Sequence, residues 1–207
     1  MTRPQTLIIP SADPDALDRA EQLLHAGELV AFPTDTVYGL GAVLTDSSAI
    51  EKLYLVKGRD AAKAIAVLIG DENALAQVTG ALSGLAARLA GRFWPGPLTL
   101  VVPAHPDLPA NLSPLPTVGV RMPDHPVALA LLRRTGPLAV TSANLSGQPS
   151  ARTAGEVLTQ LNGRFPLVLD GGETPGGSPS TVVDCTGSEP EILRQGPITL
   201  EQLFDGK

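Results

Sequence analysis

Three cations crowd the short stretch KGRDAAK, where Lys57, Arg59 and Lys63 fall within seven residues. Like charges that close repel one another unless water solvates them or they share an anion. Two readings follow: a solvated loop face, or a clamp for a polyphosphate. A fourth cation, Arg121, ends the apolar run of TVGVRMPDHP, where a charge without a partner is costly. A salt bridge to Asp124 would satisfy it, and so would a substrate carboxylate. Arginine suits either, because its planar fork can engage two oxygens at once.

Small polar residues gather at three other places. VAFPTDTVYGLGA sets Thr34, Asp35 and Thr36 between an apolar run and a Gly-x-Gly. AVTSANLSGQPS releases an apolar run into Thr141, Ser142, Asn144, Ser146 and Ser150. Such side chains satisfy the backbone of their own turns; they are also donors suited to phosphate or nucleobase edges. DGGETPGGSPSTVVD carries four glycines before a strand, which lets backbone amides approach an anion. Several standard motifs are missing from the sequence: GxxxxGK[ST], GxSxG and CxxC, while GLGAVL lacks the third glycine of GxGxxG. That argues against Walker-type, dinucleotide-binding and nucleophile-elbow sites. Trp94, in RFWPGPLTLV, reads as a packing residue.

These groups need a scaffold. With 207 residues and 43% hydrophobic content, the expectation is one domain over residues 1–207 with a proper core. No apolar run approaches the roughly 18 residues of a membrane span, the N-terminal patch is too short for a signal peptide, and a single cysteine, Cys185, suits a reducing compartment. A cytoplasmic protein without membrane association is therefore expected. The net charge of −6 speaks against a general polyanion binder. His25, His105 and His125 lack the spacing of a zinc site, so no protein-built metal site is expected.

Helices are predicted over residues 13–27, 46–59, 81–94, 127–136 and 153–163, with capping boxes at Ser48/Glu51 and Thr153/Glu156. Strands are predicted in GELVAF, AIAVLIG, PLTLVVP, TVGVRMP, PLAVTS, PLVLDGG, STVVDCT and EILRQG. Helices alternate with strands early, and strands run nearly consecutively late. That order predicts an α/β fold with a twisted, mixed parallel and antiparallel sheet flanked by helices. The tail from Ile198 to Lys207 reads as a packing helix or a cover for the site.

The ordered set FPTDTVYGLG, KGR…K, FWPGPLTLV, VGVRMPDHP, TSANLSGQPS, GSPSTVVD and EILRQG resembles the YrdC-like family, with a motif core of about residues 28–196. Two prolines common in the family's cation loop appear here as Asp60 and Ala64, and a histidine of some longer members appears as Leu68. The resemblance implies a concave ligand cleft and a nucleotidyltransferase. Its reaction would join L-threonine, bicarbonate and ATP into L-threonylcarbamoyl-AMP and pyrophosphate. Mg²⁺ would arrive with the ATP phosphates. The product would pass through a tRNA threonylcarbamoyl transferase complex to the adenosine next to the anticodon, with at most a weak tRNA contact by this chain.

By resemblance, Arg59 and Lys63 would hold the phosphates with Lys57 assisting, and Thr117, Ser142, Ser150 and Arg194 would complete the ATP site. Thr34, Thr36, Arg121, Ser180 and the Val140 backbone would bind threonine, and Asn144 would shape its loop. The glycines after Tyr38 would turn the chain around a small ligand. The fold also admits an RNA-binding or ribosome-maturation module, or a related carbamoyl- or acyl-adenylating enzyme.

Overall fold

The computed structural model describes residues 5–204; the last three residues of the tail lie outside the described residues. Ten strands form one mixed sheet: β1 (Leu7–Pro10), β2 (Val30–Phe32), β3 (Gly39–Val43), β4 (Ala66–Leu68), β5 (Leu98–Pro103), β6 (Thr117–Arg121), β7 (Leu138–Ser142), β8 (Leu167–Asp170), β9 (Thr181–Asp184) and β10 (Glu191–Arg194). Their order across the sheet is β1-β8-β2-β3-β7-β4-β6-β5-β9-β10. Parallel ladders such as β4 with β6 alternate with antiparallel ones such as β3 with β7. The expected α/β class and mixed sheet are what the chain forms.

Side-chain alternation along the strands decides where the helices go. On one face, Ala31, Leu40, Val67, Leu98, Leu100, Val118, Val120, Ala139, Val168 and Val183 join a continuous core. Three helices cover it: α2 (Ser47–Lys57), α3 (Gly84–Phe93) and α5 (Ala154–Leu161). On the opposite face, Val30, Phe32, Leu138, Leu167 and Leu169 pack under α1 (Ala16–His25) and α4 (Pro126–Thr135). Those two helices cover only the half of the sheet around β8, β2, β3 and β7. Leu68 of β4 still joins that packing; among the described residues the same face of β6, β5, β9 and β10 carries no helix. A short α6 (Leu200–Phe204) ends the described chain, with Leu203 buried in the first core.

Two strands escape the sequence reading. Leu7–Pro10 adds an edge to β8 with Leu7 and Ile8 exposed, so it has no run of buried residues to announce it. Gly39–Val43 is a central strand, not a turn around a ligand. A Cβ at Gly39 would fall 2.8 Å from a Val140 methyl, and one at Gly41 would fall 3.0 Å from the Phe32 ring. These glycines admit large neighbours onto the strand.

The α2 cap also differs. Asp46, not Ser48, accepts the amides of Ser48 and Ala49 at 2.9 and 3.0 Å. At α5, Thr153 accepts the Glu156 amide at 3.2 Å, but Glu156 reaches back to the Arg152 amide at 2.7 Å, one residue beyond a capping box. Losing the Asp46 carboxylate leaves two first-turn donors unmet. Asp46→Ala is expected to cost about 1 kcal/mol in chemical denaturation, whereas Ser48→Ala should change stability by only a few tenths.

Candidate active site

The helix-free face of the sheet holds a cavity of about 340 Å³. Its floor follows the period of two: Ala66 and Leu68 from β4, Thr99 and Val101 from β5, Thr117, Gly119 and Arg121 from β6. Three arginines line it, Arg59, Arg121 and Arg194, together with the hydroxyl residues Thr34, Thr36, Thr99, Ser113, Thr117, Thr141, Ser142 and Ser180, and among the described residues no carboxylate belongs to the lining. Leu115 and Leu193 add apolar surface to it. The volume lies within the usual range for small-molecule sites.

Arg121 is 5% exposed. Its Nε donates to the Gly96 carbonyl at 2.9 Å, Nη1 to Thr36 Oγ1 at 3.0 Å, and Nη2 to Asp35 Oδ1. The salt bridge to Asp124, one of the two readings of this arginine, is not formed: Asp124 gives its backbone amide, at 3.1 Å, to the same Asp35 oxygen. Three of the five guanidinium N–H groups are thus committed, leaving one on each terminal nitrogen. Burial lowers the pKa of Arg121, and the Asp35 carboxylate works against that shift. The second Asp35 oxygen is buried and has no hydrogen-bond partner among the described residues.

Around this pair the turn is stitched locally. Thr34 Oγ1 donates to the Val37 carbonyl at 2.7 Å and lies 3.0 Å from Thr36 Oγ1. The glycine-rich loop after β8 crosses the turn, with the Gly177 amide on the Thr36 carbonyl at 2.9 Å. A Cβ at Gly176 would sit 2.6 Å from the Asp35 carbonyl oxygen, so only glycine lets the two segments meet. On the far wall, Ser180 Oγ lies 2.8 Å from Thr99 Oγ1 and accepts from Arg194 Nη2 at 3.2 Å. Burial first, then the charges of Arg121 and Arg59, lower the Arg194 pKa. The three arginines therefore share one electropositive field.

Arg59 follows the left-handed Gly58 at the end of α2, and its Nη2 holds the Ala64 carbonyl at 2.9 Å. The other cations of that stretch go elsewhere. Lys57 is 2% exposed and outside the lining, its ammonium on the carbonyls of Ser142 and Asn144. Burial, with a contribution from Arg59, pulls its pKa down to about 7. Lys63 is exposed on the turn, outside the lining, and Tyr54 Oη donates to its carbonyl at 3.3 Å. Ser150 also lies outside the lining. Asn144 Nδ2 donates to the carbonyls of Leu145 and Gln148 at 3.0 and 2.6 Å, which folds its own loop.

The cavity thus gathers Thr34, Thr36, Arg59, Thr117, Arg121, Val140, Ser142, Ser180 and Arg194, but not Lys57, Lys63, Asn144 or Ser150. Sequence reasoning missed Asp35 as the partner of Arg121. A carboxylate between two threonines, in a chain with an unpaired strand-end arginine, was the available signal. It also missed Thr99, Leu115 and Leu193. Among the described residues no group of three His, Cys, Asp or Glu could hold a metal ion, and no helix is long and apolar enough to cross a membrane.

Known proteins share this sequence and architecture. The chain is 46% identical over 196 residues to a threonylcarbamoyl-AMP synthase of Bacillus subtilis, covering 93% of this chain but only 57% of that protein. A putative threonylcarbamoyl-AMP synthase of Mycobacterium tuberculosis is 42% identical over 199 residues, covering 94% of this chain and 92% of its own length. The crystal structure of P. abyssi Sua5 complexed with L-threonine superposes with a TM-score of 0.91 at 38% identity, over 97% of this chain and 61% of that one. The Sua5/YciO/YrdC profile, which carries the description "Telomere recombination", matches residues 22–196. Sequence, sheet and cleft agree: the chain belongs to the Sua5/YciO/YrdC family.

Proposed function

We propose that this protein makes L-threonylcarbamoyl-AMP and pyrophosphate from L-threonine, bicarbonate and ATP. One observation carries the reading: three arginines line a hydroxyl-rich cavity that has no carboxylate in its lining among the described residues. That donor set suits a ligand bearing both carboxylate and phosphates. The relatives named as threonylcarbamoyl-AMP synthases and the threonine-bound Sua5 structure support threonine as the carboxylate and an adenine nucleotide as the phosphates.

In this reading Arg121 and Thr36 take the threonine carboxylate through the two remaining guanidinium N–H groups and the hydroxyl. Thr34 and Ser180 stand beside them, with the Val140 backbone. Arg59, Thr117, Ser142 and Arg194 take the nucleotide; Lys63 and Ser150 are not needed for that assignment. The threonine nitrogen forms a bond to the bicarbonate carbon with loss of water, giving a carbamate. A carbamate oxygen then attacks the α-phosphorus and pyrophosphate leaves. The chain supplies position and fixed positive charge for this displacement rather than a nucleophile. Mg²⁺ would enter with the nucleotide substrate, held by its phosphates, and would offset charge there. The adenylate would then be consumed by a transferase acting on tRNA.

The direct test is pyrophosphate release from Mg–ATP. Release should require both L-threonine and bicarbonate. Release without threonine but with another amine would change the substrate, and no release by folded, ATP-binding protein would overturn the reading. Arg59→Ala is expected to lower turnover by about 10²–10³-fold, the usual effect of deleting one preorganised charge at a reacting centre. Arg59 is half-buried at the rim and makes no ion pair among the described residues, so thermal unfolding should barely change.

A further inference from the structure

Lys57 is the last residue of α2 and nearly inaccessible, at 2% exposure. Its ammonium meets three oxygens of one loop: the Ser142 carbonyl, the Asn144 carbonyl, and Asn144 Oδ1 at 3.3 Å. An ammonium has three N–H groups and no more. Three oxygens therefore exhaust what Lys57 can offer, and none is left for a phosphate. The Lys57 backbone joins the same loop, because the Ser146 amide donates to its carbonyl at 3.0 Å. From the other side, Gln160 of α5 holds the loop twice, accepting the Leu145 amide at 3.0 Å and donating to the Pro149 carbonyl at 3.1 Å. Ser142, which lines the cavity, stands at the anchored end.

We infer that Lys57 is a positioning residue that fastens the Ser142–Ser146 loop and so presents Ser142 to the cavity, without touching the nucleotide. The left-handed Gly58, at φ +58°, then turns the chain outward, and Arg59 is delivered to the cavity. Two cations one residue apart thus do different work: one lies behind the wall, one within the lining. The identity of the ligand in the cavity rests on the function proposed above; the fastening of the loop does not.

The test starts with ligand-free protein. In hydrogen exchange, Lys57→Met should speed the Ser146 and Gln148 amides at least ~10-fold while the β5 amides keep their wild-type rates, as expected when one local unit loosens. Lys57→Arg separates the roles further. A phosphate ligand would be rescued by another cation, but a planar fork does not meet three carbonyl oxygens in a closed slot, so neither loop protection nor pyrophosphate release should return. Unchanged loop exchange in Lys57→Met with ATP binding lost, or turnover restored by Lys57→Arg, would overturn the inference.

If both variants unfold, Asn144→Ala keeps the lysine and removes one of its acceptors. It should loosen the same amides, and wild-type exchange there would equally overturn the inference. Pyrophosphate release absent from the wild type would count against the proposed reaction while leaving the exchange result readable.

Discussion

Arg121→Lys is expected to raise the KM for L-threonine about 10²–10⁴-fold while leaving the KM for ATP and the folded state nearly unchanged. The number of N–H donors decides this. Arg121 spends three N–H groups on Gly96, Thr36 and Asp35 and keeps two for a ligand. Lysine has three N–H groups in all. Its ammonium can balance Asp35 and take what internal acceptors it reaches, but nothing remains for a second carboxylate. Two charge-assisted hydrogen bonds disappear, each worth about 1.5–3 kcal/mol, and each 1.4 kcal/mol is about tenfold in affinity. The charge itself is retained, so the fold does not carry the loss. Steady-state kinetics in threonine and ATP separately would decide it; an unchanged threonine KM would move the carboxylate to another guanidinium.

The same residue shows where sequence reasoning works and where it stops. A cation at the end of TVGVRMP is visible as an anomaly because alternation puts it on a strand, and a buried charge needs a partner. Which partner it has depends on loops brought together across the sheet, and Asp35 lies 86 positions away. Proximity in sequence offered Asp124 as the protein partner, and the chain uses Asp35 instead. Lys57 is a parallel case. KGR reads as one cluster, yet helix geometry ends at Lys57 and the glycine turn sends Arg59 elsewhere. Strands were legible where a run of branched or large apolar residues marks them, as in LTLVV. They were not legible at β1, a four-residue edge whose Leu7 and Ile8 are exposed and only Ile9 packs inward, or at β3, whose glycines look like a turn until Phe32 and Val140 are seen against them. The cleft exists because α1 and α4 cover only half of one sheet face, which no local pattern encodes.

Asp35→Asn carries the largest expected effect on stability, a loss of about 3–5 kcal/mol, because it leaves a buried arginine without its counter-charge. Asp35 and Arg121 have side chains 11% and 6% exposed, so water does not screen the deficit as it would for a surface pair. For a chain of this size that corresponds to a fall in Tm of roughly 6–20 °C. Arg121→Gln alone should cost a similar amount, since Asp35 then stands buried and unpaired, with one oxygen already lacking a partner. The two losses should not add. With both charges gone, Asp35→Asn/Arg121→Gln should recover at least about 1 kcal/mol relative to the sum of the singles, as contacting residues do. Threonine-dependent pyrophosphate release should stay lost in the double variant, because its Tm improves without restoring a guanidinium. Thermal unfolding and turnover measured on the same four proteins separate the two roles of the pair. Additive stability losses would mean that Asp35 does not balance Arg121. Recovered turnover would mean that neither residue binds the substrate. The expected pattern, stability partly regained and activity not, would follow from a carboxylate that holds the arginine in place and an arginine that holds the ligand.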